Sequence, residues 1–470
     1  MGLAATETVV GVDVGSTEVK ALVVDRAGAR LSCARTPTQW RRDADGGVEL
    51  PAETILSRVL SAMAEAVCLA EKSNGRLRVV SVAVTGMAEA GVLLDGAGTP
   101  MYPVIAWFDQ RGGAELRELP EGLRDGFSAH TGLPLSALCS FAKLNWLLRY
   151  ELPARDVGMW LNVPEYVAYA LGGEAVTEPS LASRTGLLDQ GAERPWLPAL
   201  EYLGMADSAL PPLTSAGTPV GRVRHAGVPD PIRGAVVTVA GHDHPVASVA
   251  SGVWHDEHLF DSCGTSEALL RVAGAQLDDD QRARLTRQGI AQGRHVLPKR
   301  SILLGGTRGG FVLDHVLAML GWRQRRGEFD AQWLTEMPAA EAVTVEGAHA
   351  SSDDITIVVN SAEPSPLQVW SAALSHAMTE ADTVIAAMSA EAGPHQHVTV
   401  AGGWSQMASF RTVKNASLPE GKYSQLDQPS AYGAAIFAEY SARCAATSSR
   451  ASIVDIAIDF TTNIPATTGV

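Results

Sequence analysis

Residues Gly11–Val24, GVDVGSTEVKALVV, decide the fold. An apolar, β-rich run predicts a strand over Thr8–Val14, the cluster Gly15-Ser16-Thr17 breaks it, and a second run, Lys20–Asp25, leads away. Two such runs around a Gly–hydroxyl cluster read as a tight hairpin. The second half of the chain repeats the arrangement in Leu259–Val272, LFDSCGTSEALLRV. Registering Gly15-Ser16-Thr17 on Gly264-Thr265-Ser266 also aligns Glu18 with Glu267 and the apolar strand that follows each. Hairpins resemble one another without common descent, but an internal echo is also the mark of a duplicated unit. The expectation is two similar α/β domains, each donating one turn to a ligand between them.

The chemistry of these turns suits phosphate. A glycine followed by hydroxyl residues can aim several backbone N–H groups at one anion, the hydroxyls add donors, and the missing side chain lets oxygen approach. Gly15, Ser16, Thr17, Gly264, Thr265 and Ser266 are therefore the candidate phosphate-binding residues. A carboxylate beside a polyphosphate is repulsive unless a cation intervenes, so Asp13 is the candidate for holding Mg²⁺, through water. Lys20 is a further phosphate partner or a lysine facing solvent. The spacing matches neither a Walker A loop nor the G-x-G-x-x-G dinucleotide fingerprint.

Working outward, Ala29–Arg35 reads as a third strand. Apolar residues at Ile55, Val59, Met63, Ala66, Val67 and Ala70 predict a helix from Pro51 to Lys72, followed by strands Val79–Thr85 and Gly91–Asp95. The stretch 103–235 is mixed, with helical patterns at Phe141–Tyr150 and Val163–Leu171 and a Pro/Gly/Ser-rich connector at Pro211–Gly221. A fully apolar strand, Ala235–Ala240, then runs into Gly241-His242-Asp243-His244-Pro245. A carboxylate at a strand end near a domain junction can take the proton of an alcohol as it attacks phosphorus, so Asp243 is the candidate general base. Its plainer role would be to cap a helix Pro245–Ser251. His242, His244, His255 and His258 invite a metal-site reading, but neighbouring side chains point apart in an extended chain, which argues against one.

Beyond the second hairpin (Leu259–Ser262, Ala268–Val272) the pattern predicts a strand Ser301–Leu304, helices 310–320 and 366–390, a strand His397–Ala401, and helices 405–417 and 430–446. Asp278–Asp280 reads as a solvated loop or a helix start. In Val400–Ser405 a strand meets Gly402 and Gly403, which would let a flat base lie on the backbone or serve only close packing.

At 470 residues the chain is long enough for two or three domains, and 46% hydrophobic with 19% charged residues is a globular composition. A net charge of −15 argues against a nucleic-acid binder. Five scattered cysteines without C-x-x-C spacing disfavour a disulfide framework and a cysteine zinc site. No apolar run is long enough to span a membrane and no leader pattern precedes the first strand, so a cytoplasmic protein is expected.

Together these segments resemble the FGGY carbohydrate kinases, the family of xylulokinase, glycerol kinase and ribulokinase. Gly11–Lys20 resembles the first phosphate motif, Gly264–Ser266 the second, and Gly241–Asp243 the segment of the catalytic aspartate. Thr85–Asp95 (TGMAEAGVLLD) and Trp107–Arg111 (WFDQR) are similar to sugar-binding stretches, while Gly305–Gly310, Ala401–Gly403 and Tyr432–Ala435 resemble nucleotide-side segments. The resemblance implies two actin-like, ribonuclease H-like domains flanking a cleft, here 1–244 for the sugar and 245–470 for ATP. It further implies ATP and Mg²⁺ as cofactors and transfer of the γ-phosphoryl group to a hydroxyl of a small ketose or polyol. Asp243 would be the base, Met87, Glu89, Trp107, Asp109 and His244 would meet the substrate, and Gly306, Gly402 and Gly403 would join the phosphate turns on the nucleotide. The assembly state is left open, a homodimer included.

Departures from the family pattern bear on the substrate. Xylulokinases tend to carry Gln-Met-His-Gly where this chain has Met87-Ala88-Glu89-Ala90, and glycerol kinases carry Arg-Glu where it has Ala88-Glu89. Ala182-Ser183-Arg184-Thr185 is also similar to glycerol kinase. His244 replaces an amide residue beside the catalytic carboxylate. A carboxylate at 89 suits a neutral, hydroxyl-rich acceptor and would repel an acidic sugar. Two other readings remain open here: an actin-fold protein that closes on nucleotide to bind a partner, and an ATPase that needs no sugar.

Overall fold

The computed structural model describes residues 5–264, 266–274, 276–348, 354–360, 363–446 and 451–462. Its first sheet contains β1 (Thr6–Val14), β2 (Glu18–Asp25), β3 (Arg30–Pro37), β4 (Leu77–Gly86) and β5 (Val236–His242), with the short strand Gly221–Arg222 along the edge. β3, β2 and β1 form an antiparallel meander, and β4 and β5 follow β1 in parallel. The second sheet contains β6 (His258–Cys263), β7 (Glu267–Ala273), β8 (Ala291–Arg294), β9 (Ser301–Thr307), β10 (His397–Ala401) and β11 (Gly421–Tyr423). There β9, β7 and β6 are antiparallel while β10 and β11 run parallel to β6, so the order and sense of the first sheet recur. The duplication expected from the two hairpin segments is present.

Strand β1 is buried without a break from Thr8 to Val14 because both of its faces are covered. Val10, Val12 and Val14 pack in a core shared with α1 (Ala52–Asn74). On the other face, Val9 joins Leu22 and Val24 beneath residues of two helices that come much later in the chain. The helix α1 buries Ile55, Val59, Met63, Ala66, Val67 and Ala70, the stripe read from the sequence. The remaining helices used below are α2 (Val163–Leu171), α3 (Asp243–Ala250), α4 (Gly309–Met319), α5 (Pro366–Ala392), α6 (Ala408–Ser417), α7 (Pro429–Ala446) and α8 (Ile453–Thr462).

The two sheets fall on either side of residue 244, but the helices do not respect that boundary. α7 lies on β1, β4 and β5 and against α3, and α8 packs beside it. A Cβ on Gly11 would stand 2.0 Å from the Ala431 carbonyl, and one on Gly433 would stand 2.3 Å from the Val246 carbonyl. Bare glycines therefore let helix backbone touch strand and helix backbone. The segment Tyr432–Ala435, expected on the nucleotide side, belongs to this packing: all four residues are buried and the Tyr432 hydroxyl donates to the carbonyls of Gly28 and Phe460. Asp278 caps the helix Asp279–Thr286 by accepting from the Gln281 backbone. Among the described residues no helix is long and apolar enough to cross a membrane.

Candidate active site

The parallel strands β1, β4 and β5 end together: Val14 pairs with Gly86, and His242 pairs with Gly86 from the other side. The carboxyl ends of adjacent parallel strands are where open α/β sheets bind ligands. This edge carries Asp13, the Gly15–Thr17 turn, Met87–Glu89 and His242–His244.

The first turn is built to present N–H groups. The Gly15 carbonyl accepts from Thr38 Oγ1 at 2.8 Å, the Ser16 carbonyl from Trp40 Nε1 at 2.7 Å, and the Thr17 carbonyl from the Thr38 N–H at 2.9 Å. In a trans peptide the C=O and the next N–H point oppositely. With three successive carbonyls turned toward residues 38–40, the N–H groups of Ser16, Thr17 and Glu18 face the other way, which is an anion-binding arrangement. Neither Thr38 nor Trp40 was legible as a site residue, since a polar loop after a strand has many uses.

Asp13 and Lys20 are cross-strand partners in the hairpin, and Lys20 Nζ lies 3.5 Å from Asp13 Oδ2. Burial raises the Asp13 carboxyl to about 6 against the pull of Lys20. Its Oδ1 is buried without a hydrogen-bond partner. Asp243 is the first residue of α3, not its cap, which is His242. Burial lifts its carboxyl to about 7, the charge of Glu89 adding and the His244 N–H and Lys20 opposing.

Glu89 has a left-handed φ of +62° and accepts from Arg184 Nε at 2.6 Å. Arg184 thus places a guanidinium beside the Glu89 carboxylate. Met87 is buried in the core of the first domain, so its side chain anchors the segment and does not face the edge. Trp107 is half-buried and meets Phe108 edge-on at 5.4 Å, and Phe108 meets Trp40 at 6.2 Å. An aromatic string thus joins the WFDQR segment to the first turn. Asp109 is buried, and its oxygens accept from Arg111 at 2.9 and 3.0 Å and from the Val48 N–H at 2.5 Å. Its carboxylate fixes the loop and has little capacity left for a ligand. His244 stands over the edge with Nε2 4.0 Å from Asp243 Oδ1.

The second edge assembles Gly264, Ser266, Gly306, Gly402 and Gly403; Thr265 lies outside the described residues. Ala268 pairs with Gly306 and Ser262 with Ala401. Gly402 takes φ +100°, and a Cβ there would stand 2.3 Å from the Cys263 carbonyl. Gly306, Gly402 and Gly403 are exposed, leaving a bare backbone ledge beside the turn. Beneath it Lys414, from α6, reaches Asp261 Oδ2 at 2.5 Å and Glu267 Oε1 at 2.8 Å, and Thr307 donates to Glu267 Oε2 at 2.6 Å. Burial alone would lower the Lys414 ammonium, but Asp261 and Glu267 outweigh it and hold it well above the usual range. This buried knot braces the second turn, and Lys414 and Thr307 lie too far from Glu267 in the chain for sequence to associate them.

Duplicated sheets of this order, each ending in a Gly–hydroxyl turn, define a two-domain protein of the actin-like, ribonuclease H-like class. The model of the FGGY family of carbohydrate kinases, N-terminal domain, matches residues 8–250, and the chain belongs to that family. An autoinducer-2 kinase of Yersinia pseudotuberculosis is 29% identical over 255 residues, which cover 52% of this chain and 47% of that protein. The chain spans about half the length of the curated relatives it matches. The fold superposes on a xylulose kinase from Rhodospirillum rubrum with a TM-score of 0.81 at 21% identity, covering 96% of this chain and 92% of the other. It superposes on a Plasmodium falciparum glycerol kinase with ADP at a TM-score of 0.85 and 16% identity, covering 98% and 94%.

Proposed function

We propose that the protein is an ATP- and Mg²⁺-dependent kinase that phosphorylates a hydroxyl of a small, neutral ketose or polyol. The observation that carries this reading is Asp243: a half-buried carboxyl directly after a parallel strand, its Oδ1 out of solvent, lifted to about 7 and grouped with Asp13, Lys20 and Glu89. A base whose pKa lies near the operating pH is both available and strong enough to take a proton.

The residues fit Mg²⁺, a hard ion that takes oxygen ligands, because Asp13 Oδ1 is a buried carboxylate oxygen without a partner. Asp13 would hold the ion through water, and when bound the ion offsets charge on the phosphates. The N–H groups of Ser16, Thr17 and Glu18, with Lys20, would hold phosphoryl oxygens from one side. Gly264–Ser266 would do so from the other, with Gly306, Gly402 and Gly403 under the nucleotide. As the acceptor oxygen bonds to the γ-phosphorus, its proton passes to Asp243 and the bond from phosphorus to the β–γ bridging oxygen breaks, releasing ADP. Glu89, oriented by Arg184, would accept from acceptor hydroxyls, Trp107 would offer an apolar wall, and His244 would tune the choice. Relatives named for autoinducer-2, xylulose and glycerol differ in acceptor, and in this chain the Glu89–Arg184 pair would contribute to the preference.

The test is an ADP-release screen over pentuloses, tetritols, glycerol and deoxy-ketoses. At least one acceptor should raise ADP release far above the acceptor-free rate; equal rates with and without acceptor would support the ATPase reading instead. Asp243→Asn should cut turnover by about a hundred- to ten-thousandfold, the range of a general base, while ATP binding survives. Near-wild-type turnover in that variant would remove Asp243 from the role.

A further inference from the structure

We propose that His242, Asp243 and His244 form a binding site for one zinc-type transition-metal dication, separate from the Mg²⁺ that accompanies nucleotide. Sequence argues against it, because neighbouring residues on a strand face opposite ways. The backbone does not stay extended. Gly241 takes φ +110°, its carbonyl is held by Thr85 Oγ1 at 2.7 Å, and α3 begins at Asp243. Strand alternation therefore ends between 242 and 244, and both imidazoles turn toward one carboxylate.

The geometry is close to a coordination triangle. Nε2 of His242 lies 3.2 Å and Nε2 of His244 4.0 Å from Asp243 Oδ1, and one ligand atom from each residue falls within 4.8 Å of the others. Ligands sharing an ion at about 2.1 Å in a tetrahedron stand roughly 3.4 Å apart, a change that small side-chain rotations supply. The two rings are nearly perpendicular, at 85° and 5.2 Å between centroids, so they converge without stacking. No hydrogen bond accounts for the approach, because Asp243 Oδ1 is buried and unpartnered despite two ring nitrogens nearby. The His242 ring is also buried, with Nδ1 unpartnered, and Nε2 is the nitrogen it turns to the carboxylate.

Two imidazoles and one carboxylate select Zn²⁺ or Co²⁺ over Mg²⁺, which prefers oxygen donors throughout, and they leave a position open for water or substrate. Binding itself does not depend on the kinase reading. Its consequence does: an ion on Asp243 Oδ1 would compete with proton removal, so zinc would oppose turnover and a chelator would restore it.

Chelator-treated protein titrated calorimetrically with ZnCl₂, without nucleotide, should take up one equivalent per chain, and Co²⁺ should give visible d–d bands of an imidazole site. His244→Ala, whose side chain is 36% exposed and spares the fold, should weaken zinc binding by about tenfold or more, as should His242→Ala. Absence of stoichiometric zinc uptake, or uptake unaltered in His244→Ala, would overturn the site; that variant decides even if His242→Ala fails to fold. The two readings fail separately. Mg²⁺-dependent turnover without zinc uptake removes the metal site and keeps the kinase, and zinc uptake without turnover does the reverse.

Discussion

A carboxyl that titrates near neutrality makes the surroundings of Asp243 measurable. Burial raises it first and the negative charge of Glu89 raises it further, so removing that charge must lower it. Only the ionised form can take a proton, so the rate should fall as pH drops through about 7. Glu89→Gln should move that acid limb to lower pH, whatever it does to acceptor affinity; a limb that stays in place in kcat/KM profiles would uncouple the two residues. Lys414 offers a second test at this scale. It is 1% exposed between Asp261 and Glu267, so Lys414→Met leaves two buried acids facing each other. Losing one partner of such a knot costs about 3–5 kcal/mol, to be read from the denaturant midpoint.

Among the elements, close backbone contact is the controlling feature. Gly11→Ala would drive a methyl into the Ala431 carbonyl, and forcing α7 away from β1 should cost about 1–3 kcal/mol, visible as a lowered melting temperature. Most strands of the two sheets, with α1 and α5, were legible because their apolar spacing reports which face is covered, whereas the short edge strands β8 and β11 carry no such pattern. Asp243 was legible because it follows a fully apolar strand at a glycine turn. Arg184, Thr38, Trp40 and Lys414 were not, because each acts through a partner tens or hundreds of residues away and none sits in a local pattern. The convergence of His242 and His244 was read wrongly: it depends on where the strand gives way to helix, and boundaries are what composition specifies least. Met87 and Asp109 lie in stretches that resemble sugar-binding segments; the Met87 side chain packs in the core and the Asp109 carboxylate is held by Arg111 and Val48, partners that no local pattern in the sequence announces.

For the whole molecule, the first sheet is finished only by the last helices. One of its faces rests on α1, which comes early in the chain, and the other on α7 and α8. At about 5–20 residues per second, a ribosome that has passed residue 250 needs roughly ten to forty seconds to deliver residue 429. During that interval Val9, Leu22 and Val24 lack the cover of α7 and α8, and the nascent lobe should be a client for chaperones. Residues 1–250 expressed alone should accumulate in inclusion bodies, and supplying 424–462 in trans should return part of the material to the supernatant.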